Sequence, residues 1–493
     1  MLKNCMIVSL LIIYVTLIAQ TAVPPSDGNG TENDPYQIET LENLFWISEN
    51  ENEWDKYYVQ TENINASDTE NWFEGQGWSP IGNSQEHFSG NYDGQGYVIY
   101  ELHINRPESS LIGLFGRLHN GTIRNLGLEE ANILGNLSVG ALAGILSSNS
   151  TILNCYSTGI VNGIGGEGIG VTGDTGGLVG FMSWNSRIEY SYSSCTVIGV
   201  NSVGGLLGRS QHHISEIINS YSIGNVIGKD FVGGLVGING NSIITESFSS
   251  GNIEGENNIG GLVGYNVLVG KISDTYATGN VNGIENVGGL VGWNGTDSSI
   301  MNSYSIGSVI GDDFVGGLIG KESNSETEYS YWDIDTSGQT NSAAGEGRNT
   351  EEMTYPYTDN TYVGWDFDNI WAADEDYTIN NGYPYLQDQP LVSAEDDMVM
   401  KINQTRISNY PNPFNPDTTI RLELAEAGRI ELSIYNIKGQ KVRNLLDAHT
   451  EPGIFTCNWN GRDDNGRPVA SGQYFIKLKQ NDEVTVEKMM MVK

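Results

Sequence analysis

Apolar positions along this chain recur on a long period. The phrase GGLVG, or a close variant, begins at Gly140, Gly176, Gly204, Gly233, Gly260, Gly288 and Gly316, at steps of 36, 28, 29, 27, 28 and 28 residues. A degenerate copy, IGLFG at Ile112, stands 28 residues before the first. An insertion around residues 163–170 accounts for the one long step. Other columns keep the same step. An aromatic follows each anchor by 15 to 17 residues: Tyr156, Tyr192, Tyr221, Phe248, Tyr276, Tyr304 and Tyr331. Four residues before the first six stand Ile152, Ile188, Ile217, Ile244, Ile272 and Ile300, and five after them Val161, Val197, Val226, Ile253, Val281 and Val309. Gly163, Gly199, Gly228, Gly255, Gly283 and Gly311 come two further on, and a turn residue (Asn201, Asp230, Asn257, Glu285 or Asp313) precedes each later anchor by three.

Short β-branched segments punctuated by Gly and Asn/Asp predict strands and tight turns. A 28-residue unit cannot bury its apolar face alone, whereas coils stacked in register bury it against one another. The pattern therefore predicts a parallel β-helix, with identical side chains repeating at the ~4.8 Å strand spacing and about eight coils making a ~40 Å section. The Leu178, Leu206, Leu235, Leu262, Leu290, Leu318 column is expected inside. Glycine is expected to serve positive-φ corners and close contact between coils. Alternation alone leaves the direction of the tyrosine column open. Residues 40–48 read as a short amphipathic helix capped by Thr40, with Leu41, Leu44 and Phe45 on one face, suited to covering an open end. Thr350 before Glu351, Glu352 and Met353 predicts a second short helix near the other end.

After residue 390 the pattern changes. Ile420, Leu422 and Leu424, then Ile430, Leu432 and Ile434, alternate as in half-buried strands, with Lys438 and Gly439 as turn punctuation. Residues 407–493 are expected to form a small β-sandwich. Charge changes at the same place: residues 1–400 hold 11 Lys/Arg against 50 Asp/Glu, and residues 401–493 hold 13 against 11. With a net charge of −37 the chain lacks the basic face that nucleic acid requires. Gly is 63 of 493 residues, but 38% of the chain is hydrophobic, enough for a buried core.

At the start, Lys3 precedes an apolar run from Met6 to Ala19, the length of a signal-peptide core and too short to span a bilayer. Residues 1–22 are read as a signal peptide cleaved near Ala19 to Ala22. Cys5 lies before the run, so it is not an acylated cysteine, and no transmembrane anchor is expected.

The GGLVGYN phrase with NSYSIGNVIG (219–228) resembles the GLUG repeat of bacterial secreted and surface proteins. The flanks fit the same resemblance: ENDPYQIETLENL (32–44), HFSGNYDGQGYVIYELHINRP (87–107), YWDIDTSGQ (331–339), YVGWDFDNIW (362–371) and GYPYL (382–386). Such repeats occur in adhesin-like proteins and beside some immunoglobulin-cleaving metallopeptidases, so the resemblance implies architecture and export more than chemistry. The C-terminal region resembles the sorting domain of type IX secretion substrates, related to the immunoglobulin-like domain of the flagellar hook-cap protein. Its signature falls on Pro411, Asn412, Pro413, Gly439, Ala470, Ser471, Gly472, Tyr474 and Lys493. This implies recognition of residues 407–493 by the type IX machinery and a secreted or outer-surface location on a Gram-negative cell. The expected organisation is an N-terminal cap with the first coils (23–111), the GLUG-repeat β-helix (112–331), a C-terminal cap (332–390), a linker (391–406) and the sorting domain.

No catalytic, cofactor or metal residues are assigned. Six histidines form no HExxH pattern, and adjacent His212 and His213 would face opposite sides of a strand. Cys155 and Cys195 fall four residues out of register, ~13 Å apart along the strand direction, so they and Cys457 are expected as free thiols. Residues 333–338 copy the start of a calcium loop but carry Ala344 at position twelve; a Gly-terminated turn is the preferred reading, and calcium the alternative. Asp463, Asp464 and Asn465 read as a hairpin turn before Gly466. Trp184 and Trp293 are candidates for stacking on sugars. The expected function is a non-enzymatic, adhesin-like protein binding a glycan or protein partner, the alternative being a polysaccharide lyase or hydrolase whose Asp/Glu pair would interrupt the repeat.

Overall fold

The computed structural model describes residues 20–166, 173–388 and 406–492, except 411–413, 425–427, 451–452, 465 and 482. The signal-peptide core Met6–Ala19, most of linker 391–406, and Pro411, Asn412, Pro413 and Lys493 of the C-terminal signature lie outside the described residues. Two compact units, residues 1–387 and 388–493, make up the chain.

The first unit is a parallel β-solenoid. One wall is an eight-stranded sheet: β1 (Phe115–His119), β2 (Ala143–Ser147), β3 (Val179–Met182), β4 (Leu207–Ser210), β5 (Val236–Gly240), β6 (Val263–Val267), β7 (Val291–Asn294) and β8 (Ile319–Glu322), each paired with the next in chain order. Strands running from Thr175–Gly176 to Asp313–Gly316 form a six-stranded sheet, and a larger mixed-length sheet completes the coil. The predicted leucines are fully buried, as are the isoleucine and valine columns. Asn201, Asp230, Asn257, Glu285 and Asp313 begin strands and pair in register; the left-handed corner falls one residue later, at Ser202, Phe231, Asn258, Asn286 and Phe314.

Glycine's task is narrower than expected. None of the seven GGLVG anchors has positive φ. At Gly260 a Cβ would meet the Val263 carbonyl oxygen at 2.0 Å, so the requirement is close approach. Left-handed corners between the isoleucine and tyrosine columns are instead taken by Asn154, Tyr190, Asn219, Glu246, Asp274, Asn302 and Tyr329. That corner removes the next N–H from its ladder, and the repeat satisfies it by side chain. The backbone N–H groups of Cys155, Ser191 and Ser220 donate to the hydroxyls of Ser191, Ser220 and Ser247 one coil on, at 3.1–3.2 Å. These hydroxyls in turn donate to the carbonyls of Glu189, Ile218 and Thr245 at 2.8 Å, so the buried backbone donor after the corner is met in these coils.

Both ends are covered. Helix α1 (Leu41–Glu49) starts where the Thr40 hydroxyl accepts from the Asn43 N–H, and it buries Leu41, Leu44 and Phe45 in the solenoid core. At the other end α2 (Ile334–Ser337) begins at Asp333 and ends at left-handed Gly338. The second short helix forms where expected: α3 (Thr350–Met353) is capped by Asn349, and Asn349 and Glu352 form a reciprocal capping box.

The second unit is an antiparallel sandwich. Strands β9 (Arg406–Tyr410), β10 (Thr418–Leu424) and β13 (Gly453–Trp459) form one sheet. Strands β12 (Lys441–Thr450), β11 (Gly428–Asn436), β14 (Gly472–Gln480) and β15 (Glu483–Met491) form the other in that spatial order. Ile420, Leu422, Leu424, Ile430, Leu432 and Ile434 are fully buried between them.

Candidate binding face

Outward positions of the eight-stranded wall change from coil to coil, whereas its inward positions repeat. One register column runs Arg117, Ile145, Phe181, Arg209, Ile238, Tyr265, Trp293, Lys321. Each of these side chains is half-buried. Three of the eleven cationic residues of the acidic region lie on this line, interleaved with three aromatic rings.

The rings and cations hold one another. Tyr265 stacks on Trp293 with centroids 4.7 Å apart, and the Phe231 ring lies 5.7 Å from Tyr265. The Lys321 ammonium sits 4.4 Å over Trp293 and 5.4 Å from the Phe314 centroid. Both neighbours of Trp293 along the column are thus in place, so its ring faces are not free for a sugar; its indole fixes the ammonium. Arg209 lies over Phe181 at 4.9 Å and pairs with Asp174 at 2.9 Å. Burial pushes the Asp174 carboxyl up to about 6, although Arg209 pulls the other way. Trp184 is 48% exposed and its ring centroid is 4.2 Å from that of His213. His212 and His213 do not face opposite sides of a strand: they form a left-handed pair, φ 67° and 60°, in a turn before the strand Ser215–Ile218.

The tyrosine column turns away from the core. Its neighbours Ser157, Ser249 and Ser305 point inward and donate to the carbonyls of Gly177, Gly261 and Gly317. From Tyr156 to Tyr304 six rings stack with centroids 4.8–5.2 Å apart and planes within 8°. The closing segment of the first unit, around Trp371 and Pro384, covers the end of the ladder. Tyr304 donates to the Pro384 carbonyl at 2.6 Å, and Trp371 donates through Nε1 to Asp274 at 3.2 Å. Asp274 also accepts from Asn302, so this buried acid serves as an anchor.

Asp333 is equally committed. One carboxylate oxygen accepts from the Asp335 and Thr336 N–H groups, and the other from the Thr350 and Tyr383 hydroxyls at 2.7 and 2.5 Å. Its two N–H donors make it the N-cap of α2, and the two hydroxyls tie that cap to α3 and to Tyr383. Cys155, Cys195 and Cys457 are free, and burial pushes the Cys155 and Cys457 thiols up to about 12. In the second unit Tyr474 donates to the Ala470 carbonyl at 2.6 Å and packs edge-on against Trp459. Gly439 and Gly472 both have positive φ, and Asp463 accepts from the Arg467 N–H in the turn that contains Gly466.

Sequence reading missed an interior ladder next to this face. Asn239, Asn266 and Asn294, all fully buried, pass side-chain hydrogen bonds along the axis at 2.8 and 2.9 Å, and the ladder ends at Glu322 at 3.3 Å. Asn at the second position after GGLVG in three consecutive coils is its only mark in the sequence.

Residues 283–310 match the GLUG motif family and residues 411–483 the FlgD Ig-like domain family. The chain is similar to Halomucin of Haloquadratum walsbyi, 38% identical over 173 residues, which is 34% of this chain and 2% of Halomucin. It is also similar to the "Putative Gly-rich membrane protein" of Evansella cellulosilytica, 33% identical over 219 residues, 42% of this chain and 23% of that protein. The chain therefore spans well under two thirds of these relatives. Among solved structures an IgA1 Protease is similar at 18% identity over 54% of this chain and 21% of that one, with a TM-score of 0.37. Among the described residues no helix is long and apolar enough to cross a membrane.

Proposed function

We propose that this is an exported, non-enzymatic, adhesin-like protein that holds a glycan or protein partner against the outer face of the eight-stranded wall. In this reading residues 1–22 are a signal peptide, residues 23–390 the capped β-helix, and residues 391–406 a linker. Residues 407–493 carry the chain through the type IX machinery to the surface or exterior of a Gram-negative cell. The observation that supports it is the contrast within one strand: Val263 and Val291 repeat inward, while Tyr265, Trp293 and Lys321 on the same strands or the next vary outward. Packing explains the repetition and leaves the variation to another pressure.

Retention of residues 23–493 on arrays of polysaccharides and extracellular proteins tests the reading. Changing Tyr265, Trp293 and Lys321 together to serine is expected to weaken retention roughly tenfold or more, the scale of a few anchor residues, while the melt, lowered by the lost stacking, still shows a folded solenoid at the assay temperature. Unchanged retention would remove the face from the account. Release of new sugar ends, abolished by changing one acidic pair, would favour the lyase or hydrolase reading.

The C-terminal unit has its own core, separate from that of the solenoid. Deleting residues 407–493 is therefore expected to leave a folded β-helix trapped in the periplasm, since a signal peptide alone crosses only the inner membrane. Cell fractionation reads this out, and equal surface amounts of full-length and truncated chains would reduce the unit to a structural sandwich.

A further inference from the structure

The outer side of β1 bears a group of side chains that the aromatic part of the face does not use. Ile81 bridges Phe115 and Phe88 bridges Leu118, so seven steps of chain are matched against three. The four surplus residues leave the register as a loop. Asn83 braces it, accepting from the Gln85 and Glu86 N–H groups at 2.8 and 3.0 Å and donating to Glu51 at 2.9 Å. The loop delivers His87, whose Nδ1 lies 2.9 Å from the Asn83 carbonyl oxygen. A carbonyl only accepts, so Nδ1 carries the proton there and Nε2 remains for another partner.

The His87 ring centroid is 5.4 Å from that of His119. His119 and Arg117 are two residues apart on β1 and so share its outer side. Arg117 Nε and His119 Nδ1 are both shielded from solvent, and neither has a hydrogen-bond partner among the described residues. Their register partners on β2, Ile145 and Ser147, are uncharged. Burial, then His87, then Arg117 hold the His119 imidazole below its ordinary proton affinity. Three nitrogen-bearing groups converge in a region where carboxylates outnumber cations by more than four to one, and among the described residues no ion pair joins any of them to a carboxylate. A metal cation would be repelled by Arg117, whereas an anion held at the accessible edge of these half-buried groups would supply a counter-charge for the guanidinium and both imidazoles.

We propose that Arg117, His119 and His87 form a binding site for one oxyanion group, a carboxylate, sulfate or phosphate, at the N-terminal end of the eight-stranded wall. The site stands whether or not the neighbouring face is adhesive. Binding is linked to protonation: an anion that favours the charged imidazole raises its midpoint, and by reciprocity affinity rises as pH falls through that midpoint. The charges that bear on His119 are Arg117 from its own strand and His87 from the loop; both lower its midpoint, and a bound anion opposes them.

Histidine-selective NMR titration of the chain from residue 23 to 493 tests the proposal, at constant ionic strength and with sodium sulfate, sodium phosphate or sodium glucuronate as probe. The His119 and His87 midpoints are expected to move upward by about one pH unit, a tenfold gain in proton affinity, while those of His212 and His213 stay in place. Arg117→Gln is expected to abolish the response; if it does not fold, His87→Gln with His119 as reporter takes its place. A response to glucuronate assigns a carboxylate-bearing ligand, and one confined to sulfate and phosphate assigns a tetrahedral oxyanion. No movement with any probe, or equal movement at His212 and His213, overturns the site.

Discussion

Gly279→Ala is expected to be among the most damaging single-methyl changes in the solenoid. A Cβ there would lie 1.8 Å from the Gly251 carbonyl oxygen and 2.7 Å from its carbon. The same contact recurs at Gly224, Gly251 and Gly307, each at 1.9 Å from a carbonyl oxygen of the preceding coil. None of these glycines has positive φ, so alanine is conformationally acceptable and the cost is one of packing. The atom struck is backbone held in a stack, which cannot rotate away, and relief requires separating two coils. A loss of roughly 3 kcal/mol or more is expected, at or above the top of the usual overpacking range. Gly240→Ala is the control: its nearest neighbour is the Ser210 carbonyl oxygen at 3.0 Å, and about 1 kcal/mol or less is expected. Urea melts with limited proteolysis measure both. A Gly279→Ala protein as stable as the control would mean that the coils are not packed this closely.

Asn266→Leu is expected to cost about 2–4 kcal/mol despite similar size and complete burial. Asn266 accepts from Asn239 at 2.8 Å and donates to Asn294 at 2.9 Å, and all three are fully buried. Leucine would leave a buried amide donor on one side and weaken a buried acceptor on the other; each unmet group costs about 1–3 kcal/mol. Asn105, whose exposed side chain donates to the Gly75 carbonyl at 3.3 Å, provides the contrast. There Asn→Leu is expected to cost no more than about 0.5 kcal/mol, because water replaces the lost partner. Similar losses at the two positions would show that the interior ladder is hydrated.

Much of the fold was legible because inward positions have one task and repeat it. The leucine, isoleucine and valine columns, the Thr40 cap and the alternation from Ile420 to Ile434 all follow from burial or capping rules that act locally. The misses share a different cause. The direction of the tyrosines depended on Ser157 and its equivalents taking the inward place, and alternation is ambiguous beside a left-handed corner. His212 and His213 were assigned to a strand because a turn of two consecutive positive-φ residues has no obligatory glycine. Cys195 occupies the place of the tight glycines one coil earlier, so that column was masked. The outer face of the eight-stranded wall left only Trp184 and Trp293 as clues, because its outward residues change at every step. His87 reaches β1 through a four-residue surplus that no period predicts.

The pitch of the solenoid bears on what kind of object this is. Twenty-eight residues drawn out as an extended tether would reach roughly 90 Å, but wound into one coil they advance only ~4.8 Å. Length is therefore the property this architecture sacrifices. Each added coil contributes one more rung to every wall, and each hydroxyl-to-backbone link joins like position to like position in the next coil. A whole unit could be duplicated or lost in the gene without stranding a partner, while a cut at any other length would throw every column out of step. Such a chain can vary how many outward positions it displays while the local geometry of each stays fixed.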